Sequence, residues 1–151
     1  MVEEKQSEND YRDFIELLNK NKVEYLVIGS YSTMFYTKMP RETKDIDFWI
    51  KKTEENAEHC VKAIHEFSGL EIDKKELLGN KEIFFIGKEP NRIDIFNKQE
   101  GLDFEEAFSR KKTGMFKGMQ VNFVSKADLI KLKEHFDRQS DRKDLKRLKR
   151  L

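Results

Sequence analysis

The chain has 151 residues, about one domain's length, and 12 phenylalanines within a 37% hydrophobic content can seed a core. One cysteine excludes an internal disulfide framework or a Cys-rich zinc site, while seven Gly and two Pro exclude a collagen-like or linker-dominated chain. No apolar run approaches the roughly 18–20 residues of a membrane span, and the opening MVEEKQSEND is too acidic for a signal peptide, so a cytoplasmic protein without a membrane partner is expected.

Tyr11, Phe14, Ile15 and Leu18 recur at i, i+3, i+4, i+7 and predict an amphipathic helix. Val23–Ile28 (VEYLVI) reads as a buried strand ending at Gly29, with a short helix after it. Asp45–Ile50 (DIDFWI) alternates, which sets Ile46, Phe48 and Ile50 on one face of a strand and Asp45, Asp47 and Trp49 on the other. Trp49 is thereby either packed between sheet and helix or free to stack on a base. Thr53 is placed to cap a helix with the stripe Ala57, Cys60, Val61, Ile64 and Phe67, which makes the lone cysteine a core residue.

KEIFFI and NRIDIF, separated by Gly-Lys-Glu-Pro, predict a hairpin. A short helix around Phe104–Phe108 and a Gly-punctuated strand pair up to Val124 follow. Ser125 or Asp128 opens the last helical stretch, with stripes Leu129/Leu132/Phe136 and Leu145/Leu148/Leu151. This part, 126–151, holds 10 Lys/Arg against 5 Asp/Glu and so hides a basic tail within a net charge of +1. Such a tail is a solvated helix or a surface for a polyanion. With no repeat or linker, one domain over 1–151 is expected. Its class is α+β: a small mixed sheet flanked by helices.

The chemistry concentrates in carboxylates. Asp45 and Asp47, two apart on a strand, share a face with Cα atoms roughly 6.5–7 Å apart. Asp is depleted in strands and like charges repel, so a divalent cation is the natural compensation. Asp94, in Arg92-Ile93-Asp94-Ile95-Phe96, alternates in the same way. It either completes a three-carboxylate cluster or pairs with Arg92. Gly29-Ser30 stands between a strand and a helix, where backbone N–H groups, a hydroxyl and a helix N-terminus can meet phosphate. Arg41 and Lys44 flank the Asp pair and can offset its charge.

Together these pieces resemble the nucleotidyltransferase superfamily, with its DNA polymerase beta-like fold. The stretch VEYLVIGSYSTMFYTKMPRETKDIDFWI is similar to a small bacterial branch containing abortive-infection-type toxins. Its Arg-x-Thr-x-Asp-hydrophobic-Asp pattern is matched by Arg41, Thr43, Asp45 and Asp47. Downstream, DLIKLK supplies Lys131 and Lys133, and RQSDRKD supplies Arg138, Lys143 and Asp144, whereas Arg147 stands where the branch has a second Asp. The resemblance implies that Gly29 and Ser30 hold the triphosphate of an NTP and that Asp45, Asp47 and Asp94 are catalytic. Asp45 and Asp47 would ligate two Mg²⁺ ions (Mn²⁺ as a substitute), and Asp94 would ligate one and help activate an acceptor hydroxyl. Lys133 or Lys131 would steady phosphate charge, and Arg41, Thr43, Lys143 and Asp144 complete the nucleotide site. It further implies transfer of an NMP to RNA, a protein or a small molecule, and a toxin role with a cognate antitoxin. A degenerate nucleotide- or RNA-binding module is the alternative.

Overall fold

The computed structural model describes residues 6–151. Helix α1 (Gln6–Lys20) leads into strand β1 (Tyr25–Ile28), which passes directly into α2 (Gly29–Thr37). Then come β2 (Asp45–Ile50), α3 (Glu54–Ser68), the single turn α4 (Lys75–Leu78), and the hairpin β3 (Ile83–Ile86) and β4 (Arg92–Phe96). Helix α5 (Phe104–Ser109), a second hairpin β5 (Lys112–Phe116) and β6 (Met119–Phe123), α6 (Lys126–Phe136) and α7 (Gln139–Lys149) complete the chain. The six strands form one mixed sheet in the order β3-β4-β2-β1-β6-β5, so the expected α+β class is what forms.

Alternation along the strands divides the apolar residues between two cores. Tyr25, Val27, Ile46, Phe48, Ile50, Ile93 and Ile95 face one side, where Phe14, Ile15 and Leu18 of α1 and Ala57, Cys60 and Ile64 of α3 cover them. Leu26, Ile28 and Trp49 face the other side and meet Ala107, Leu129, Leu132 and Leu148. Trp49 therefore belongs to the core, edge-on to Phe104 with ring centroids 5.2 Å apart, and stacks on no base. Burial pushes the Cys60 thiol up to about 12, which suits a packing residue and no nucleophile.

Helix ends follow the local chemistry. Thr53 caps α3 by accepting from the Asn56 amide, Asp103 caps α5 and Ser125 caps α6 in the same way. The inner face of α7 departs from the expected leucine stripe. It carries Asp141, Asp144 and Leu148, whereas Leu151 lies exposed beyond the helix. Those positions are i, i+3 and i+7, and the acids can turn inward because α6 offers them a buried lysine, Lys133.

Asn56 ties α3 to the neighbouring ends of β1 and β2. Its carboxamide accepts from the Glu24 amide at 2.7 Å and donates to the carbonyls of Glu24 at 3.1 Å and Lys51 at 2.9 Å. Asn56→Ala takes the carboxamide partner from the Glu24 amide and the Lys51 carbonyl next to a closed core, while the Glu24 carbonyl keeps the Lys51 amide at 3.2 Å. The expected loss is about 2–3 kcal/mol. Thermal unfolding followed by circular dichroism should show a melting temperature lower by roughly 5–10 °C.

Candidate active site

The site is built on the centre of the sheet, on the face covered by α6 and α7. Strands β2 and β4 pair in parallel, with Asp45 opposite Arg92 and Asp47 opposite Asp94. Period-2 alternation then brings all three aspartates to one face, and one oxygen from each lies within 4.8 Å of the others. Burial raises the Asp47 carboxyl well above its ordinary value, and the charges of Asp45 and Asp94 push the same way, with the Lys133 charge opposing them. Burial and Asp94 also raise Asp45, although Arg92 opposes them.

Arg92 spans the cluster. Its Nε donates to Asp94 Oδ1 at 2.7 Å, and one Nη donates to Asp94 Oδ2 and Asp45 Oδ2, each at 3.0 Å. Both readings of Asp94 thus hold at once: it joins the cluster and it pairs with Arg92. Asp47 receives no such contact.

Gly29 closes the cluster from the β1 side. It sits at φ +71°, and a Cβ there would run into the Asp47 carboxylate, so glycine serves both the turn and the close approach. The N-terminus of α2 begins at this residue with no side-chain cap, because Ile28 occupies the capping position. Ser30, next in line, accepts a hydrogen bond from Arg41, whose Nε lies 3.3 Å from Asp144 Oδ1.

Asp144 continues into a buried ion network. Lys133 Nζ is 2.9 Å from Asp144 and 3.3 Å from Asp141, and all three residues are at most 4% exposed. Breaking such a pair from one side costs about 3–5 kcal/mol, because it strands a buried charge. Burial acts to raise the Asp141 carboxyl, yet the Arg138 hydrogen bond and the Lys133 charge outweigh it and lower the carboxyl.

A cleft of about 360 Å³ opens over these groups. Gly29, Ser30, Arg41, Asp45, Asp47, Asp94 and Lys133 line it. The other sequence-derived candidates lie elsewhere. Thr43 braces the start of β2 by donating to the Asp45 carbonyl at 3.0 Å, and Lys131 is exposed two residues from the inner face of α6. Lys143 is exposed on a shallower depression that shares Arg41 with the cleft, and Asp144 lies beneath as an anchor.

Several lining residues lie outside that set of candidates. Arg92 enters from the sequence only as a partner of Asp94, and Asp141, at i−3 from Asp144 and i−7 from Leu148, is marked as inward-facing by that spacing alone. Phe85 and Phe136, nearly half exposed, form an aromatic wall together with Phe96. Gln99 is 5% exposed on the same wall, and its Oε1 has no hydrogen-bond partner.

Comparison with known proteins finds the same fold elsewhere. The structure resembles the lincosamide antibiotic adenylyltransferase LnuA in its lincomycin-bound form, at 20% identity and a TM-score of 0.62 over 96% of each chain. It also resembles the antibiotic-resistance factor ANT(2'')-Ia, at 11% identity and a TM-score of 0.63 over 93% of this chain and 81% of that one. A nucleotidyltransferase-like protein from Paracoccidioides brasiliensis aligns at 13% identity and 0.57 over 95% and 75%. At such identities the likeness shows a shared fold. No curated protein sequence matches the chain. The family described as nucleotidyl transferase of unknown function (DUF2204) matches residues 7–151, nearly the whole chain, and the protein belongs to this nucleotidyltransferase family.

Proposed function

We propose that the protein transfers a nucleoside monophosphate from an NTP to an acceptor hydroxyl with the help of Mg²⁺, the whole chain acting as one catalytic unit. The observation that carries this reading is the trio Asp45, Asp47 and Asp94, gathered within 4.8 Å beside the uncapped start of α2. A donor set made only of carboxylate oxygens fits a hard cation, and Mg²⁺ takes one or two carboxylates and completes its shell with water and substrate phosphates. Asp45, Asp47 and Asp94 would hold the metal, with room in the three-carboxylate set for two ions. A bound ion would supply charge neutralisation at the phosphates, with Mn²⁺ able to substitute.

The chain's own residues do the rest. Backbone N–H groups at Gly29 and Ser30 receive the triphosphate, favoured by the positive end of α2. Lys133, fixed by Asp141 and Asp144, adds positive potential to the cleft floor, while Arg41 orients the Ser30 hydroxyl. The acceptor oxygen bonds to the α-phosphorus as the bond to pyrophosphate breaks, and Asp94 takes the hydroxyl proton. Thr43, Lys143 and Asp144 act at one remove, as brace, flank and anchor; Lys131 has no role in this scheme.

One neighbour is a lincosamide antibiotic adenylyltransferase and another an antibiotic-resistance factor, which supports a small hydroxylated acceptor, whereas the basic flank of α7 beside the cleft supports RNA. The toxin setting, with its cognate antitoxin, rests on the sequence resemblance. A binding module without chemistry has one observation in its favour, the pairing of Arg92 with two of the three aspartates. Incubation with each α-labelled NTP, Mg²⁺ or Mn²⁺, and separately RNA, protein extract or a small-molecule pool decides among them. Label should pass to one fraction with release of pyrophosphate. Nucleotide binding with no labelled product in any fraction would leave the binding module.

Asp47→Asn has a pH-dependent effect whose sign follows from the raised carboxyl. A raised folded-state value means that stability is lost as pH rises through it, and is fully present below the unfolded value of about 4. The metal-free variant should therefore melt above the parent near pH 7.5, with the gain fading on acidification toward pH 4. It should also lose the thermal shift caused by Mg²⁺ plus NTP, which in the parent corresponds to about 2.7 kcal/mol at a hundredfold excess over Kd.

If RNA is the acceptor, Arg147 and Arg150 guide it. Arg147 borders the depression that shares Arg41 with the cleft, and Arg150 is exposed one turn further on. Neutralising three or four phosphates gives a slope of log K against log salt of about −2 to −3 for a single strand. Replacing both residues by Gln should flatten that slope and spare NTP affinity. Filter binding across a salt series checks it, and unchanged RNA affinity in the double variant removes this surface.

A further inference from the structure

Arg92 is held by more contacts than a chance surface pair requires. Its planar fork engages both oxygens of Asp94 and one of Asp45, its Cζ lies 4.6 Å from the centre of the Phe85 ring, and Glu89 stands 3.7 Å from its remaining nitrogen. The parallel register sets it opposite Asp45, so it cannot avoid the cluster. Yet the side chain is 27% exposed and borders the cleft, which leaves it room to turn outward. The oxygens it occupies belong to the same cluster that a hard cation would use. A divalent ion at about 2.0–2.1 Å from Asp45 and Asp94 would sit against the guanidinium, and the two cations repel.

We propose that Arg92 is an exchangeable counter-ion. It neutralises Asp45 and Asp94 in the metal-free protein, and it moves onto the triphosphate when metal and nucleotide enter together. A guanidinium fork matches phosphate as well as it matches carboxylate, so the incoming NTP supplies the partner that the metal takes away. Two properties follow. Metal alone binds weakly, because it must displace Arg92 into solvent. Metal and nucleotide each strengthen the other's binding, because the displaced arginine finds a new anion. Arg92 is here a positioning residue, and the proposal rests on the metal-dependent reading of the same site.

Calorimetric titration of Mn²⁺ into the intact protein, with and without an NTP carrying a methylene bridge between its α and β phosphates, tests this. In the parent, the analogue should strengthen Mn²⁺ binding by a factor within the roughly 5–150 range usual for coupled sites. Arg92→Gln should bind Mn²⁺ alone about tenfold or more tightly, and the strengthening by nucleotide should fall by a similar factor, to what direct metal–phosphate contact supplies. Arg92→Lys keeps the charge without the fork and should lie between the two. It also decides the matter if the Gln variant fails to fold by circular dichroism. Equal or weaker Mn²⁺ binding by the variants, or full retention of the coupling, overturns the counter-ion role while leaving the metal site standing. Absence of Mn²⁺ binding in every protein, nucleotide present or not, overturns the metal reading and this proposal with it.

Discussion

The parallel pairing of β2 with β4 is the constraint on which the candidate site depends. Two aspartates on adjacent central strands, Asp47 and Asp94, stand directly opposite each other with Asp45 one pleat away. Like charges across a strand pair oppose sheet formation, and the surrounding apolar residues raise the cost by removing water. The sheet forms nonetheless because the opposite face of the same strands buries Ile46, Phe48, Ile50, Ile93 and Ile95 in the larger core. Hydrophobic burial on one face thus holds together carboxylates that repel on the other. A fold that stabilises itself against local repulsion in this way keeps a high-affinity place for positive charge, and Arg92 occupies it.

Much of this was legible from residue order. Period-2 alternation in DIDFWI marked both the strand and its acidic face, and the passage from an apolar run into Gly29 marked the turn from β1 to α2. The capping residues Thr53 and Ser125 announced helices that form where expected. Strand order was not legible, since it depends on contacts between segments nearly fifty residues apart, as with Asp45 and Arg92. Without that register Asp94 was only a plausible third member, and Arg92 had two readings that turn out to be compatible.

The choice between Lys131 and Lys133 was available in principle. Leu129 and Leu132 set the inner face of α6, and Lys133 follows Leu129 by four residues, whereas Lys131 follows it by two and turns outward. Asp141 and Asp144 were harder. Read by composition, α7 is a solvated basic helix, and its leucines suggest a stripe through Leu145 and Leu151. The structure rotates the helix so that Asp141 and Asp144 face inward instead, because a buried lysine on α6 compensates them. The pairing partner lies on another element, so neither helix alone reveals the phase.

That ion network also joins the two ends of the site. Lys133 on α6 holds Asp144 on α7, Asp144 holds Arg41 before β2, and Arg41 holds Ser30 at the start of α2. Each link is a charged or polar contact, fully buried at Lys133 and Asp144 and partly buried at Arg41 and Ser30, and burial makes hydrogen bonds stronger and unpaired groups costlier. A continuous chain of contacts therefore links the helices that cover the cleft to the turn between β1 and α2. Asp141 supplies a second carboxylate to Lys133 from three residues before Asp144, so Lys133 has two acidic partners although Arg147 stands one residue before Leu148 on the same helix. Two carboxylates from one face of α7 thus balance the buried charge of Lys133, and the rotational alignment of α7 against α6 follows from that pairing.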